Sequence, residues 1–226
     1  NGDELILKDD EFIHLTKVMR KKNGDMIRTV DGLGYIYECK INNINKNFLS
    51  AEILNKVLSD NEPDMNITLA LGLLKNPSKF DFVVEKATEL GVKIIIPFIS
   101  KHTISQKPKI DRWQNLAISA MKQSQRAFLP IVSECYKFDD LLNIPAELRL
   151  IAEIDSGELN LIRNTTSCPE ILILIGPEGG FSDDEIDQAV NAGFRKIKLS
   201  SMRLRAETAA IACIPLLLEK FKLFRE

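Results

Sequence analysis

Residues 171–182 read Ile-Leu-Ile-Leu-Ile-Gly-Pro-Glu-Gly-Gly-Phe-Ser, and this stretch indicates the fold of the larger part of the chain. The five apolar residues predict a strand that is buried on both faces. Ser182 and Glu185 have the spacing of a capping box, which predicts a helix directly after the glycine-rich turn. A strand, a short turn and a helix in this order are typical of a mostly parallel α/β sheet.

The glycine-rich turn at 176–180 is a candidate ligand site, because ligands of open α/β sheets bind beyond the carboxyl ends of the strands. Glycines also let the backbone approach a ligand closely. The turn is neither the Gly-x-Gly-x-x-Gly of dinucleotide sites nor a phosphate loop that ends in Gly-Lys-Ser or Gly-Lys-Thr. Geometry alone leaves two interpretations open: a ligand-binding turn, or an ordinary connection between strand and helix.

The same alternation of strands and helices begins at residue 66 and continues to near the end of the chain. Asn76 and Pro77 predict the start of a helix, and Gly91 predicts its end. Pro215 is expected to interrupt and kink the last helix. The other predicted strands cover 67–73, 93–98, 148–154 and 196–199, and the other predicted helices cover 109–127 and 206–224.

The first 60 residues predict a different architecture. Short segments near 26–30, 34–41 and 47–57 are rich in Ile, Val and Tyr and roughly alternate, with turn residues between them. Several short strands in so few residues predict a small β-barrel. Residues 59–64 are polar around one proline and predict a linker, so the expected domains are 1–63 and 64–226.

Composition excludes several classes of protein. The 226 residues carry a net charge of −2 and are 45% hydrophobic, which excludes a mainly disordered chain and a globally basic nucleic-acid binder. The apolar runs are far shorter than the roughly 20 residues that cross a bilayer, so no membrane partner is expected. With two histidines and four scattered cysteines, no metal site is expected.

A second turn from strand to helix, at residues 199–209, reads Leu-Ser-Ser-Met-Arg-Leu-Arg-Ala-Glu-Thr-Ala. Glu207 suits the positive end of the helix dipole, whereas Arg205 does not. An arginine in an unfavourable position favours a functional task, such as neutralising an anionic substrate. The alternative is a solvated junction with a surface contact between Arg205 and Glu207.

Two further groups of polar residues are candidates for binding. Gln123 and Arg126 are three residues apart and share a helix face. A basic run near His14 has the charge to bind phosphate, although residues 1–64 hold nine Lys and Arg against twelve Asp and Glu, so any basic surface is local. Either group could instead be ordinary solvated surface. The basic run contains Lys17, Arg20, Lys21 and Lys22.

These segments together resemble the SPOUT, or α/β-knot, methyltransferases. The pairing of Gly-Pro-Glu-Gly-Gly-Phe at 176–181 with Leu-Arg-Ala-Glu-Thr-Ala at 204–209, in this order and spacing, is the most specific part of the resemblance. The bacterial RsmE type matches further at 14–25, 79–92 and 123–126. The matches extend over residues 14–210. The chain departs from the common pattern of that type at Lys101-His102, Ser200 and Arg203.

The resemblance implies an α/β fold with a small N-terminal PUA-like β-barrel that helps to bind RNA, and a C-terminal trefoil-knot domain with a mostly parallel sheet. It implies a cytoplasmic homodimer joined through the C-terminal domain. It implies an enzyme that uses S-adenosylmethionine to methylate N3 of a uridine in 16S ribosomal RNA, either free or in the assembled small subunit. The alternatives are a SPOUT enzyme for another RNA and a non-catalytic ribosome-assembly module.

The resemblance also implies roles for individual residues. Arg205 and Arg126 are the candidates for stabilising negative charge, and Glu207 is either a base or a residue that orients Arg205. The expected RNA contacts are Lys17, Arg20, Lys21, Lys22 and Gln123. The expected cofactor contacts are Gly176, Pro177, Glu178, Gly179, Gly180, Leu199, Ser200, Ser201, Leu204, Arg205 and Thr208.

Overall fold

The computed structural model describes residues 4–104, 107–154 and 170–222. These residues form two compact units. The first unit contains the described residues up to Glu62 together with Arg126–Phe128, and the second unit begins at Pro63 and contains the rest.

The first unit is built on a four-stranded antiparallel sheet with the strand order β1-β4-β3-β2. One face of the sheet is apolar because buried side chains alternate with exposed ones along the strands. Its elements are β1 (Glu4–Lys8), α1 (Asp9–Ile13), a π-helical turn (His14–Val18), β2 (Met26–Val30), β3 (Tyr35–Ile44) and β4 (Phe48–Leu58). The buried centre of this unit consists of Ile27, Cys39, Ile41, Leu49 and Ala51.

The second unit is an α/β sheet of seven parallel strands with the order β11-β9-β10-β5-β6-β7, and β8 pairs beside β6. Its strands are β5 (Asn66–Gly72), β6 (Ile94–Ile99), β7 (Ile131–Val132), β8 (Tyr136–Lys137), β9 (Leu148–Ala152), β10 (Glu170–Ile175) and β11 (Arg195–Ile197). Its helices are α2 (Pro77–Glu89), α3 (Ile110–Gln123), α4 (Phe138–Leu141), α5 (Asp183–Asn191) and α6 (Ala206–Lys222).

Strand β10 explains why this sheet is covered on both faces. Ile171, Ile173 and Ile175 belong to the core that includes α2, α3 and α6. Leu172 and Leu174 point the other way and belong to the core that includes α4 and α5. Each fully buried side chain of this size contributes roughly 2 kcal/mol, so a strand that is apolar at every position is stable only between two layers. The predicted mostly parallel α/β architecture is confirmed.

The helix ends follow the local sequence. The Asn76 side chain accepts a hydrogen bond from the Ser78 amide (3.0 Å) at the start of α2, and Gly91, with φ +97°, follows its end. Helix α6 continues through Pro215, so the predicted interruption is wrong, whereas the predicted kink stays a prediction. The reason is tertiary: neighbouring side chains such as Ile214 and Leu217 are fully buried, and their packing outweighs the lost backbone hydrogen bond.

None of the helices in the described ranges combines the length and the apolar character that crossing a bilayer requires.

Candidate functional site

A cleft of about 340 Å³ opens where three neighbouring strands of the parallel sheet end. Strands β11, β9 and β10 are adjacent, and the last residue of each (Ile197, Ala152 and Ile175) lines the cleft. The volume lies within the range of small-molecule sites. The other lining residues are Glu153, Ile154, Gly176, Pro177, Glu178, Gly180, Phe181, Leu199, Ser200, Met202, Arg203, Leu204, Arg205, Ala206 and Ala209.

The turn after β10 forms one wall of the cleft and packs closely against its surroundings. A Cβ atom on Gly72, at the end of β5, would lie 2.6 Å from the backbone nitrogen of Pro177. A Cβ atom on Gly176 would lie 3.1 Å from the carbonyl carbon of Gly180. The Gly180 amide donates to the Pro177 carbonyl (2.8 Å), and Gly180 has φ +69°. The glycines therefore allow a tight turn whose backbone lines the cleft.

Glu178 connects this turn to the loop between β5 and α2. Both oxygens of its carboxylate accept from the Lys75 amide, each at 3.1 Å. Because Lys75 lies between the end of β5 (Gly72) and the start of α2 (Pro77), the contact connects the turn to the loop that leads into α2. Glu178 therefore both lines the cleft and braces its wall.

The turn after β11 forms another part of the lining. The Ser200 hydroxyl accepts a hydrogen bond from the Met202 amide (3.1 Å), which closes a local turn. Leu199 and Leu204 contribute apolar surface, and the exposed side chain of Arg205 contributes a guanidinium at the point where α6 begins. Two turns that lie far apart in sequence therefore line one cleft.

Glu207, in the first turn of α6, pairs with Lys79 in the first turn of α2. The Lys79 Nζ lies 2.9 Å from the Glu207 Oε1, and the two side chains are 29% and 13% exposed. Burial by itself raises the pKa of the Glu207 carboxyl. The hydrogen bonds from Lys79 and the Glu207 backbone amide, with the charges of Lys79 and Arg205, outweigh burial and hold that pKa below its ordinary value. Glu207 is therefore ionised at neutral pH, and its Oε2 is buried without a hydrogen-bond partner among the residues that the structure describes.

Most of the predicted cofactor contacts lie in this cleft, and three of them do not line it. The exceptions are all exposed: Gly179, whose carbonyl lies beside the His102 ring, Ser201 and Thr208. Ten lining residues are not among the predicted contacts. Several of them could have been predicted from their position at or just after the end of a strand, because neighbouring parallel strands end at the same edge of the sheet and ligands bind there. The missed residues are Ala152, Glu153, Ile154, Ile175, Phe181, Ile197, Met202, Arg203, Ala206 and Ala209.

Arg126 belongs to the first compact unit and forms an ion pair with Glu62 of the same unit. Its side chain is 8% exposed, and its Nη2 lies 2.7 Å from the Glu62 carboxylate. Glu62 also accepts from the Phe128 amide at 3.2 Å, so it fastens the 126–128 segment to the N-terminal unit. Gln123 is exposed at the last residue of α3, in the second unit.

The predicted basic run surrounds a strained turn in the first unit. Arg20 has φ +53°, a conformation that costs a residue with a side chain roughly 1 kcal/mol or more. The amine of Lys21 donates to the Met26 carbonyl (2.9 Å) and is only half-exposed. The exposed cations of the run are Lys17, Arg20 and Lys22.

Among the residues that the structure describes, no three His, Cys, Asp or Glu side chains are grouped in a way that could hold a metal ion.

Comparison with known proteins gives matches over nearly the whole chain. Residues 61–218 match the family described as RNA methyltransferase domain, and residues 7–54 match the RNA methyltransferase PUA domain. Two curated relatives bear the name ribosomal RNA small subunit methyltransferase E. The one from Mesomycoplasma hyopneumoniae is 37% identical over 90% of this chain and 92% of its own length. The one from Rickettsia conorii is 33% identical over 94% of this chain and 88% of its own length.

The fold is also similar to that of solved structures. A ribosomal RNA small subunit methyltransferase E from Neisseria gonorrhoeae, solved bound to S-adenosyl methionine, superposes with a TM-score of 0.87. It is 34% identical, and the match covers 97% of this chain and 92% of that chain.

Proposed function

Because the chain belongs to the RNA methyltransferase family whose curated members are named ribosomal RNA small subunit methyltransferase E, we propose that it methylates 16S ribosomal RNA with S-adenosylmethionine. The methyl acceptor in this proposal is N3 of a uridine. The observation that carries the proposal is the single cleft that the turns at 176–180 and 199–205 line together.

The residues of the cleft fit the methyl donor. Leu199, Leu204 and Ile175 supply apolar surface for an adenine ring, and backbone of the glycine turn is close enough to contact a ligand directly. The lining contains the carboxylates of Glu153 and Glu178 as well as the guanidinium groups of Arg203 and Arg205, so it offers partners for both positive and negative groups of a ligand. S-adenosylmethionine, when bound, supplies a methyl group on a positively charged sulfur.

Arg205 is the proposed catalytic residue. The N3 of a neutral uridine is a poor nucleophile because it carries a proton, so the reaction needs stabilisation of the anion that forms when this proton leaves. Arg205 lines the cleft and presents an exposed guanidinium, which stabilises negative charge on the carbonyl oxygens that flank N3. Holding the base beside the methyl donor supplies much of the remaining acceleration.

Glu207 is proposed to anchor the first turn of α6 rather than to act as a base. An ionised carboxylate that is already paired with Lys79 is a weak proton acceptor, and its other oxygen is buried. By holding α6 against α2, the pair positions Arg205, which comes immediately before that helix. The catalytic role of Arg126 stays a prediction; the guanidinium of this residue is paired with Glu62.

We propose that the cations of the basic run in the N-terminal unit bind the phosphates of the RNA. Gln123 of the second unit is proposed as a further RNA contact. A homodimer joined through the C-terminal domain and a cytoplasmic location are part of the same proposal, since they follow from the resemblance to the SPOUT methyltransferases. The RNA-binding cations are Lys17, Arg20, Lys21 and Lys22.

The proposal is tested with Arg205→Ala and, as a matched control, Arg195→Ala at the exposed beginning of β11. Small ribosomal subunits from cells that lack the protein are incubated with each variant and S-adenosylmethionine, and modified uridines are mapped by mass spectrometry. Arg205→Ala is expected to lose methylation while calorimetry shows nearly unchanged affinity for S-adenosylmethionine. Arg195→Ala is expected to match the parent. Equal methylation by Arg205→Ala and the parent would contradict the role of Arg205, and no binding heat with the parent would favour an assembly module.

A further inference from the structure

The loop that follows β6 touches the outer side of the glycine turn. The Nδ1 atom of His102 lies 3.1 Å from the carbonyl oxygen of Gly179. Because a carbonyl can only accept, the hydrogen bond requires a proton on Nδ1. A Cβ atom on Gly179 would lie 2.8 Å from the Cβ of His102, so the loop and the turn are in direct contact and a glycine is needed there.

A buried carboxylate ties the same loop to the far end of the turn. Glu185 is 6% exposed, and its Oε1 accepts from the Lys101 amide at 2.8 Å. Its Oε2 accepts from both the amide (2.8 Å) and the hydroxyl (3.1 Å) of Ser182. Glu185 lies in the first turn of α5, where the helix dipole favours a negative charge. One side chain thus connects the β6 loop with Ser182, the N-cap of α5, two residues beyond the glycine turn.

The turn is therefore held from outside at two points, while Glu178 and Gly180 line the cleft on its inner side. Two consecutive glycines would by themselves sample many conformations, and a ligand that bound them would have to restrict that freedom. A turn that is already held in place loses less conformational entropy when a ligand binds.

We infer that His102 and Glu185 are positioning residues, which hold the 178–180 turn in the shape that receives the methyl donor. The inference rests on the proposed function, because it names which residues prepare that cleft for S-adenosylmethionine. Neither residue lines the cleft, so both act through the turn.

The test compares three variants in the β6 loop of the full-length protein. His102→Ala removes the ring, whereas in His102→Asn the side-chain amide nitrogen takes the place of Nδ1 and can still donate to Gly179. Lys101→Ala removes only an exposed ion pair with Asp184, so it is the matched control. Binding of S-adenosylmethionine is measured by calorimetry, methylation by steady-state kinetics and folding by thermal denaturation.

We expect His102→Ala to weaken binding of S-adenosylmethionine about four-fold, which corresponds to the loss of one net hydrogen bond. The KM for the donor should rise by the same factor with little change in kcat, because the chemical step does not involve the ring. His102→Asn should restore the affinity, and Lys101→Ala should match the parent. Both oxygens of Glu185 accept hydrogen bonds from backbone amides, so in Glu185→Gln the side-chain NH2 would face an N–H that it cannot accept from. This change should weaken binding of S-adenosylmethionine by about ten-fold or more.

The outcomes distinguish failure of the positioning role from failure of the proposed function. If the parent protein binds S-adenosylmethionine and His102→Ala binds it equally well, the positioning role is wrong and the proposed function stands. If His102→Ala and His102→Asn are equally impaired, the hydrogen bond to Gly179 is not what matters, and the inference is also wrong. If the parent protein binds no S-adenosylmethionine, the proposed function itself fails and the inference falls with it.

Discussion

The ion pair between Lys79 and Glu207 provides the sharpest test of how the site is held together. Its Nζ–Oε1 distance is 2.9 Å, and its members are 29% and 13% exposed. A hydrogen bond to a charged group contributes about 1.5–3 kcal/mol, and partial exposure to solvent places this pair near the lower end. We therefore expect Lys79→Met to lower the free energy of unfolding by about 1–2 kcal/mol. A double-mutant cycle with Glu207→Gln should give a coupling energy of about 1 kcal/mol.

Urea unfolding followed by tryptophan fluorescence measures this coupling. Trp113 is the single tryptophan of the chain and lies buried in the second unit, stacked on Phe80 with 4.0 Å between ring centroids. Its signal therefore reports the unit that contains the ion pair. The exposed pair between Lys101 and Asp184 is the control and should give a coupling energy of only a few tenths of a kcal/mol.

The pH dependence of the coupling has a definite sign. Because the pKa of Glu207 is lower in the folded protein than its ordinary value of about 4.5, the stabilisation is fully present above that ordinary value. It is lost as the pH falls through the lower pKa of the folded state. We expect the coupling energy to stay constant between pH 7 and about pH 5 and to decline in more acidic solution. A coupling energy below about 0.3 kcal/mol at pH 7, or one that does not decline in acid, would refute the reasoning.

Activity measurements on the same variants separate the two roles considered for Glu207. If the carboxylate anchors α6, Lys79→Met and Glu207→Gln should lower kcat to a similar extent, since either change breaks the same pair. If Glu207 is the base, Lys79→Met should leave it with a higher pKa and most of its activity, whereas Glu207→Gln should be inactive.

Two further predictions concern the turn and the basic run. Gly72→Ala should destabilise the second unit by at least about 2 kcal/mol and weaken binding of S-adenosylmethionine, because its Cβ would overlap Pro177. Gly180 has open space around it but φ +69°, so Gly180→Ala should cost only about 1 kcal/mol of stability. Thermal denaturation measures both losses, and equal losses would contradict the steric argument. Replacing exposed cations of the first unit by glutamine should weaken RNA binding and lower the slope of log K against log salt by about 0.7 for each phosphate contact that is lost. Filter binding at several salt concentrations measures this slope. An unchanged slope would show that these side chains are only solvated. The residues to replace are Lys17, Arg20 and Lys22.

Much of the fold was predictable because local sequence and tertiary packing agree in the second unit. The apolar run at 171–175, the cap at Asn76 and the capping box at Ser182 each specify an element that the structure contains. The family and the expected class of enzyme are confirmed by the comparisons. Strand β1 and helix α1 were missed, since each has only five residues and too short a pattern to distinguish from a loop.

The sequence by itself identified the residues of the two turns and the chemistry that they can perform. Glycines, arginines and capping residues act over a few neighbouring positions, so their effect can be predicted locally. What the sequence could not reveal is which distant groups meet: Lys79 with Glu207, Arg126 with Glu62, and the β6 loop with Gly179. Those contacts depend on the order of the strands in the sheet and on how the loops between them pack. Tertiary structure therefore decided which of the candidate residues line the cleft and which only support it.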